Sequence, residues 1–183
     1  MQTDIAEAVA CLRRGAVIAY PTEAVYGLGC DPFDGEAVAQ LFALKQRPAS
    51  QGVLLIAADF SQVEKFIAPV ADEAIARARA TWPGPHTWVF PRSRQTPAWL
   101  AGSHSGIALR VTAHPIAAQL CRAFAGALVS TSANHHGELP ARTADEVRSS
   151  FGDQVAYIVD GRVGGLERAT PIRNAVDGEI FRT

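Results

Sequence analysis

Lysine is almost absent from this chain: Lys45 and Lys65 stand against fifteen arginines. Charge of either sign barely prevails, at −1 overall. That excludes a protein whose main task is coating nucleic acid, which needs a strongly basic domain, and leaves room only for a local basic groove. Cysteine is scarce: Cys11, Cys30 and Cys121 are odd in number, far apart and form no C-x-x-C pair. This excludes a disulfide framework and predicts reduced, buried thiols in a cytoplasmic protein. No apolar run approaches the roughly 18 residues of a membrane span. Early acidic residues, Asp4 and Glu7, argue against a signal peptide. His86, His104, His114, His135 and His136 lack metal-ligand spacing, so no protein-held metal is expected. Also missing are the third glycine of a dinucleotide fingerprint, a G-x-x-x-x-G-K-S/T phosphate loop and a G-x-S-x-G elbow. A nucleotide site here is of another kind.

What is present reads as one α/β domain over residues 1–183, a single open, twisted, mixed sheet with flanking helices. Asp4 and Glu7 predict a capping box opening a helix to Arg13, ended by Gly15. Ala16 to Tyr20 reads as a buried strand and 21–31 as a glycine-containing loop. Glu36 to Leu44 reads as a helix, with Ala37, Val38, Leu41 and Phe42 on its apolar face. Strands follow at Val53–Ala57, Thr87–Phe90, Ile107–Val111, Ala127–Ser130 and Val155–Val159. Helical patterns occupy 61–67, 72–80 and 115–125, and a second capping box, Thr143 with Glu146, opens another that runs to Phe151. Residues 91–105 show no periodicity and read as a mobile surface loop. Asp177-Gly178 predicts a closing hairpin.

Four stretches carry candidate chemistry. Lys45 and Arg47 leave the end of a helix that Pro48 stops, and both are expected to be exposed there. A mobile point charge beside a planar fork suits a phosphate; the same two residues also suit a cationic helix terminus. Ser130 and Ser132 alternate on one face of an extended segment that runs into Asn134, which fits either an anion-binding loop or a self-bonded turn. The segment from Pro21 to Gly29 leaves a strand end, where α/β sheets bind ligands. Arg110 lies inside an apolar strand and needs a partner, either a ligand carboxylate or an internal Asp or Glu.

In order and rough spacing, Pro21-Thr-Glu-Ala-Val-Tyr-Gly-Leu-Gly29, Lys45-x-Arg47, Trp82-Pro-Gly-Pro-x-Thr87, Ala108-Leu-Arg110-Val111 and Ser132-x-Asn134 resemble the YrdC-like proteins, over about Asp4 to Arg182. The resemblance implies an α/β fold around a concave, positively lined cavity. It implies synthesis of threonylcarbamoyl-adenylate from L-threonine, bicarbonate and ATP, with pyrophosphate released and Mg²⁺ carried in by ATP. Downstream proteins would pass the threonylcarbamoyl group to an adenosine beside the tRNA anticodon, with at most a weak tRNA contact by this chain. By the same resemblance Lys45, Arg47, Ser132 and Asn134 would be catalytic. ATP would be held by those four with Ser130 and Arg182, and threonine by Thr22 and Arg110. The chain departs from the family at Ala24, often Thr, at Ile56, near a histidine of longer members, and at Ala169-Thr170-Pro171, elsewhere Ser-Thr-Val. Two other readings compete: an RNA- or tRNA-binding assembly factor without catalysis, and carbamoyl transfer from carbamoyl phosphate.

Overall fold

The structure, a computed structural model, describes residues 4–167 and 170–182. Its centre is one nine-stranded mixed sheet. The strands are β1 (Ile18–Pro21), β2 (Tyr26–Gly29), β3 (Leu54–Ala57), β4 (Thr87–Pro91), β5 (Gly106–Val111), β6 (Leu128–Ser132), β7 (Tyr157–Ile158), β8 (Ile172–Asn174) and β9 (Ile180–Arg182). They lie in the order β7-β1-β2-β6-β3-β5-β4-β8-β9. The helices are α1 (Ile5–Arg13), α2 (Gly35–Leu44), α3 (Asp72–Arg79), α4 (Ala98–Ala101), α5 (Pro115–Phe124) and α6 (Ala144–Phe151).

Alternation along the strands divides the side chains between two faces. On one face Leu28, Leu55, Trp88, Phe90, Leu109 and Val129 pack against Val38, Leu41, Ala78, Leu100, Val147 and Phe151 of α2, α3, α4 and α6. On the other, Ile18, Tyr20, Ile56 and Leu128 pack against Val9, Leu12, Leu120 and Cys121 of α1 and α5. These two helices cover only part of that second face. The row Val89–Ala108–Leu54–Ser130, aligned by strand register, points the same way and lines an open cavity.

Several expectations need correction. The 21–31 loop is an antiparallel hairpin, in which β1 pairs with β2 from Ile18↔Gly29 to Pro21↔Tyr26. The glycines that suggested a loop admit close strand approach instead: a Cβ on Gly29 would sit 2.4 Å from Val129 O and 2.8 Å from the Tyr20 ring. The stretch 91–105 is not a free loop. It holds α4, whose Leu100 and Ala101 are buried. Gly52 and Gly102, both at positive φ, let the two segments interlock, and Val53 N donates to Leu100 O while Ser103 N donates to Ser50 O. Residues 61–67 form two 3₁₀ turns rather than one helix. The strand expected over 155–159 shrinks to Tyr157–Ile158. Asp4 does cap α1, accepting from Ala6 N and Glu7 N, but Glu7 turns away to Arg14 and the box stays half-made. Thr143 and Glu146 make the full reciprocal box. The final hairpin turns at Gly178, with φ of 84°.

Candidate functional site

The cavity measures about 1140 Å³ and occupies the uncovered half of the second sheet face. Its floor is Val89, Ala108, Leu54, Ser130 and Ser132, with Gly27 beside them. Ser132 pairs with Gly27, and a Cβ there would lie 3.3 Å from Ser130 Oγ, so the glycine keeps the floor flat next to the two hydroxyls. One wall is built from Arg47, Gln51, Gly52, Val53, Leu100, Ala101 and His104. The rim carries Leu139, Pro140 and Arg142, and the closing hairpin adds Val176, Phe181 and Arg182. The charged lining is Arg47, Arg110, Arg142 and Arg182 against Glu167 and Asp177.

Arg47 donates from Nη2 to Gln51 O and Gly52 O and from Nη1 to Thr131 Oγ1, while its Nε is buried without a partner. Arg182 donates to Thr170 O at 2.9 Å. Burial lowers the pKa of both below the ordinary arginine value. Guanidiniums short of counter-charge in a partly desolvated pocket favour an anion there.

Lys45 is placed differently from Arg47. It is buried, not exposed, and does not line the cavity. Its Nζ donates to Ser132 O at 2.5 Å, Asn134 O at 2.8 Å and Asn134 Oδ1 at 3.2 Å. Burial, and then the Arg47 cation, push its pKa down to about 8. Asn134 is likewise turned inward: Oδ1 accepts from Ser132 Oγ at 2.6 Å, and Nδ2 donates to His135 O and Glu138 O. Lys45 and Asn134 thus hold the 132–138 loop from behind, whereas Ser130, Ser132 and Arg47 meet the cavity. The helix exit turns inward because Gln46, at φ of 52°, reverses the chain.

Arg110 has the internal partner that its strand demanded. Its Nη1 lies 3.3 Å from Glu23 Oε2, with both side chains nearly enclosed. Glu23 Oε1 also accepts from Thr112 Oγ1 at 2.6 Å and from Ala113 N at 3.1 Å. Arg110 still lines the cavity, and its Nε has no partner. Burial lowers its pKa, the Glu23 carboxylate opposes that, and the nearby Arg182 adds to it. Thr22 also lines the cavity, but its hydroxyl is committed to Val25 O at 2.7 Å.

Glu23, Arg142 and His104 were not among the sequence candidates. Glu23 had a signal, since Arg110 required a buried carboxylate. Arg142 and His104 had none, because loops bring them to the rim. Ile56 is buried in the second core and Thr170 lines the cavity, whereas Ala169 lies outside the described residues. His135 is structural, bonded to Leu44 O and Ser150 O and packed on Phe151. Among the described residues no group of three His, Cys, Asp or Glu is placed to hold a metal ion, and no helix is long and apolar enough to cross a membrane.

A protein-family profile described as Sua5_yciO_yrdC, telomere recombination, matches residues 10–183. A Coxiella burnetii protein named threonylcarbamoyl-AMP synthase is 54% identical over 178 residues, 97% of this chain and 96% of the relative. The crystal structure of P. abyssi Sua5 complexed with L-threonine superposes with a TM-score of 0.88 at 32% identity, over 93% of this chain and 50% of Sua5, so this chain spans about half the length of that protein. The crystal structure of E. coli YciO gives 0.79 at 26% identity, over 98% of this chain and 90% of YciO.

Proposed function

Because the chain belongs to the Sua5–YciO–YrdC family, we propose that it is a threonylcarbamoyl-AMP synthase acting as one domain in the cytoplasm. It joins L-threonine, bicarbonate and ATP into threonylcarbamoyl-adenylate and releases pyrophosphate. The observation that carries this reading is the gathering of Arg47, Arg110 and Arg182 with Ser130 and Ser132 around one cavity of about 1140 Å³. That volume exceeds the roughly 300–1,000 Å³ of ordinary small-molecule sites and has room for a nucleotide beside an amino acid. Three free, buried cysteines support a reducing compartment.

The chemistry brings two anions together. Threonine's amine and bicarbonate form a carbamate with loss of water, and one carbamate oxygen attacks the α-phosphorus of ATP as the bond to pyrophosphate breaks. Such transfers rest on positioning and on charge fixed in advance. Arg47 and Arg182 hold the phosphates; Ser130 and Ser132 donate to the nucleotide and carbamate. Arg110 takes the threonine carboxylate through the N–H edge that Glu23 leaves free, with Thr22 packing beside the amino acid. Lys45 and Asn134 act from behind, fixing the Ser132 loop. Magnesium enters as part of the ATP substrate. The adenylate then passes to separate proteins that modify tRNA, which this chain contacts weakly.

The test is pyrophosphate release from purified protein with ATP, threonine and bicarbonate, each omitted in turn. Release that needs all three is expected. Release that needs carbamoyl phosphate instead, or salt-sensitive RNA retention without turnover, overturns the proposal.

A further inference from the structure

We propose that Glu23 is a positioning residue for amino-acid recognition: it fixes the Arg110 guanidinium so that one N–H edge faces the cavity. This rests on the reading that Arg110 takes the threonine carboxylate. Thr22, Ala24 and Val25 line the cavity, but Glu23 does not; its carboxylate turns to the end of β5. There both of its oxygens are occupied, one by Thr112 Oγ1 and Ala113 N, the other by Arg110 Nη1. A carboxylate so supplied with donors is a rigid anchor. The main chain adds to the anchoring. Thr22 O accepts from Gly164 N, and Glu23 O accepts from Leu166 N. A Cβ on Gly164 would lie 2.5 Å from Glu23 O, so only glycine allows that approach.

The arrangement answers a physical difficulty. A free arginine in a partly enclosed pocket samples many rotamers, and each must be given up on binding. Arg110 has Nη1 already engaged by Glu23, and the side chain still lines the cavity. The guanidinium donors that Glu23 leaves at the cavity are the part that a ligand carboxylate can satisfy. Glu23 also offsets the charge of Arg110, so the pocket accepts the zwitterion of an amino acid rather than any anion. Selection therefore belongs to the Glu23–Arg110 unit, not to arginine alone.

The experiment is calorimetric threonine binding in the presence of a non-hydrolysable ATP analogue, with pyrophosphate release measured against threonine and pH. The variants are Glu23→Gln, Thr112→Val, Arg110→Lys and the Glu23→Gln/Arg110→Lys double. Glu23→Gln is expected to weaken threonine about tenfold or more, the scale of one charge-assisted hydrogen bond. Its kcat at saturating threonine and its ATP affinity should stay within about twofold, and its pH profile should not move. Thr112→Val should act in the same direction to a smaller extent. If Glu23 works through Arg110, the double variant is no weaker than Arg110→Lys alone. Additive losses overturn the proposal, as does a lowered kcat with a shifted pH limb, which would make Glu23 a base. A destabilised Glu23→Gln with wild-type threonine affinity reduces it to a structural residue. Should Glu23→Gln not fold, Thr112→Val decides on the same criteria. Weakening in Arg110→Lys alone removes Glu23 and leaves the Arg110 assignment standing; wild-type threonine affinity in Arg110→Lys removes both.

Discussion

Two halves of one sheet face share the same strands and the same alternation, yet one is core and the other cavity. In β6 the transition takes two residues, from Leu128 under the α1 and α5 layer to Ser130 on the cavity floor. In β3 it runs from Ile56 to Leu54. Arg110 stands on the frontier, paired in register with Ile56 on one side and tied to Glu23 above. The covered half is held by apolar burial and is indifferent to ligand. The open half leaves Leu54, Ala108 and Val89 beside the guanidiniums of Arg47, Arg110 and Arg182. Stability and function are thus separated by one row of side chains, and substitutions on either side of it should behave differently.

The largest expected effect lies on the covered side. Leu128→Ala opens a void between β6 and the two helices and should cost about 2–5 kcal/mol in denaturant unfolding, with threonine and ATP dependence unchanged. A shifted ATP affinity in that variant would break the separation. Across the frontier, Arg47→Ala removes donors aimed at the phosphates and should lower the rate of pyrophosphate release about 10²–10³-fold. Its unfolding free energy should fall by only about 1 kcal/mol, since its bonds to Gln51 O and Gly52 O lie on a wall that Gly52 and Gly102 already fix.

Ligand linkage sharpens the same contrast. Magnesium-ATP at about 100 times its Kd should raise stability by about 2.7 kcal/mol in wild type and in Leu128→Ala alike, and far less in Arg47→Ala. Thermal midpoints with and without nucleotide test this.

The remaining effect concerns Lys45 and pH. Its folded midpoint, about 8, lies below the ordinary 10.5. Between those values the unfolded chain holds the extra proton, so stability from this group rises as pH climbs from about 8 toward 10.5. Activity should run the other way, because the proton lost near pH 8 is one that Lys45 donates to Ser132 O or Asn134 O. With only two lysines in the chain, ¹³C-lysine NMR resolves the titration directly, and Lys65→Arg removes the other signal. A Lys45 midpoint near 10.5 would remove this pH dependence.

Much of this was legible in the chain itself. Helix α2, both termini of α6 and the buried run of β5 follow from apolar period and caps. Arg47 and Ser132 stand in the motifs that carry the family likeness, Ser130 and Arg182 were expected beside them from the resemblance, and all four line one cavity. What the chain hid was long-range. Gly27 and Gly29 have the composition of a turn but the environment of a strand, because the neighbours that need their bareness, Ser130 and Thr22 at Gly27 and Tyr20 and Val129 at Gly29, are set by the sheet. Lys45 reads as a solvent-facing helix end, and only the return of β6 to the next position buries it. Leu100 and Ala101 gave too short an apolar signal to announce α4, whose existence depends on docking against 49–53.

Gly52 and Gly102 have their bare faces against each other's backbone: a Cβ on Gly102 would lie 2.4 Å from Ser50 O, and one on Gly52 2.8 Å from Ala101 O. The wall that presents Arg47 is therefore riveted, with no slack for a ligand to push through. Exchange of the Val53 and Ser103 amides, which donate across this joint to Leu100 O and Ser50 O, should therefore stay slow whether or not the site is filled.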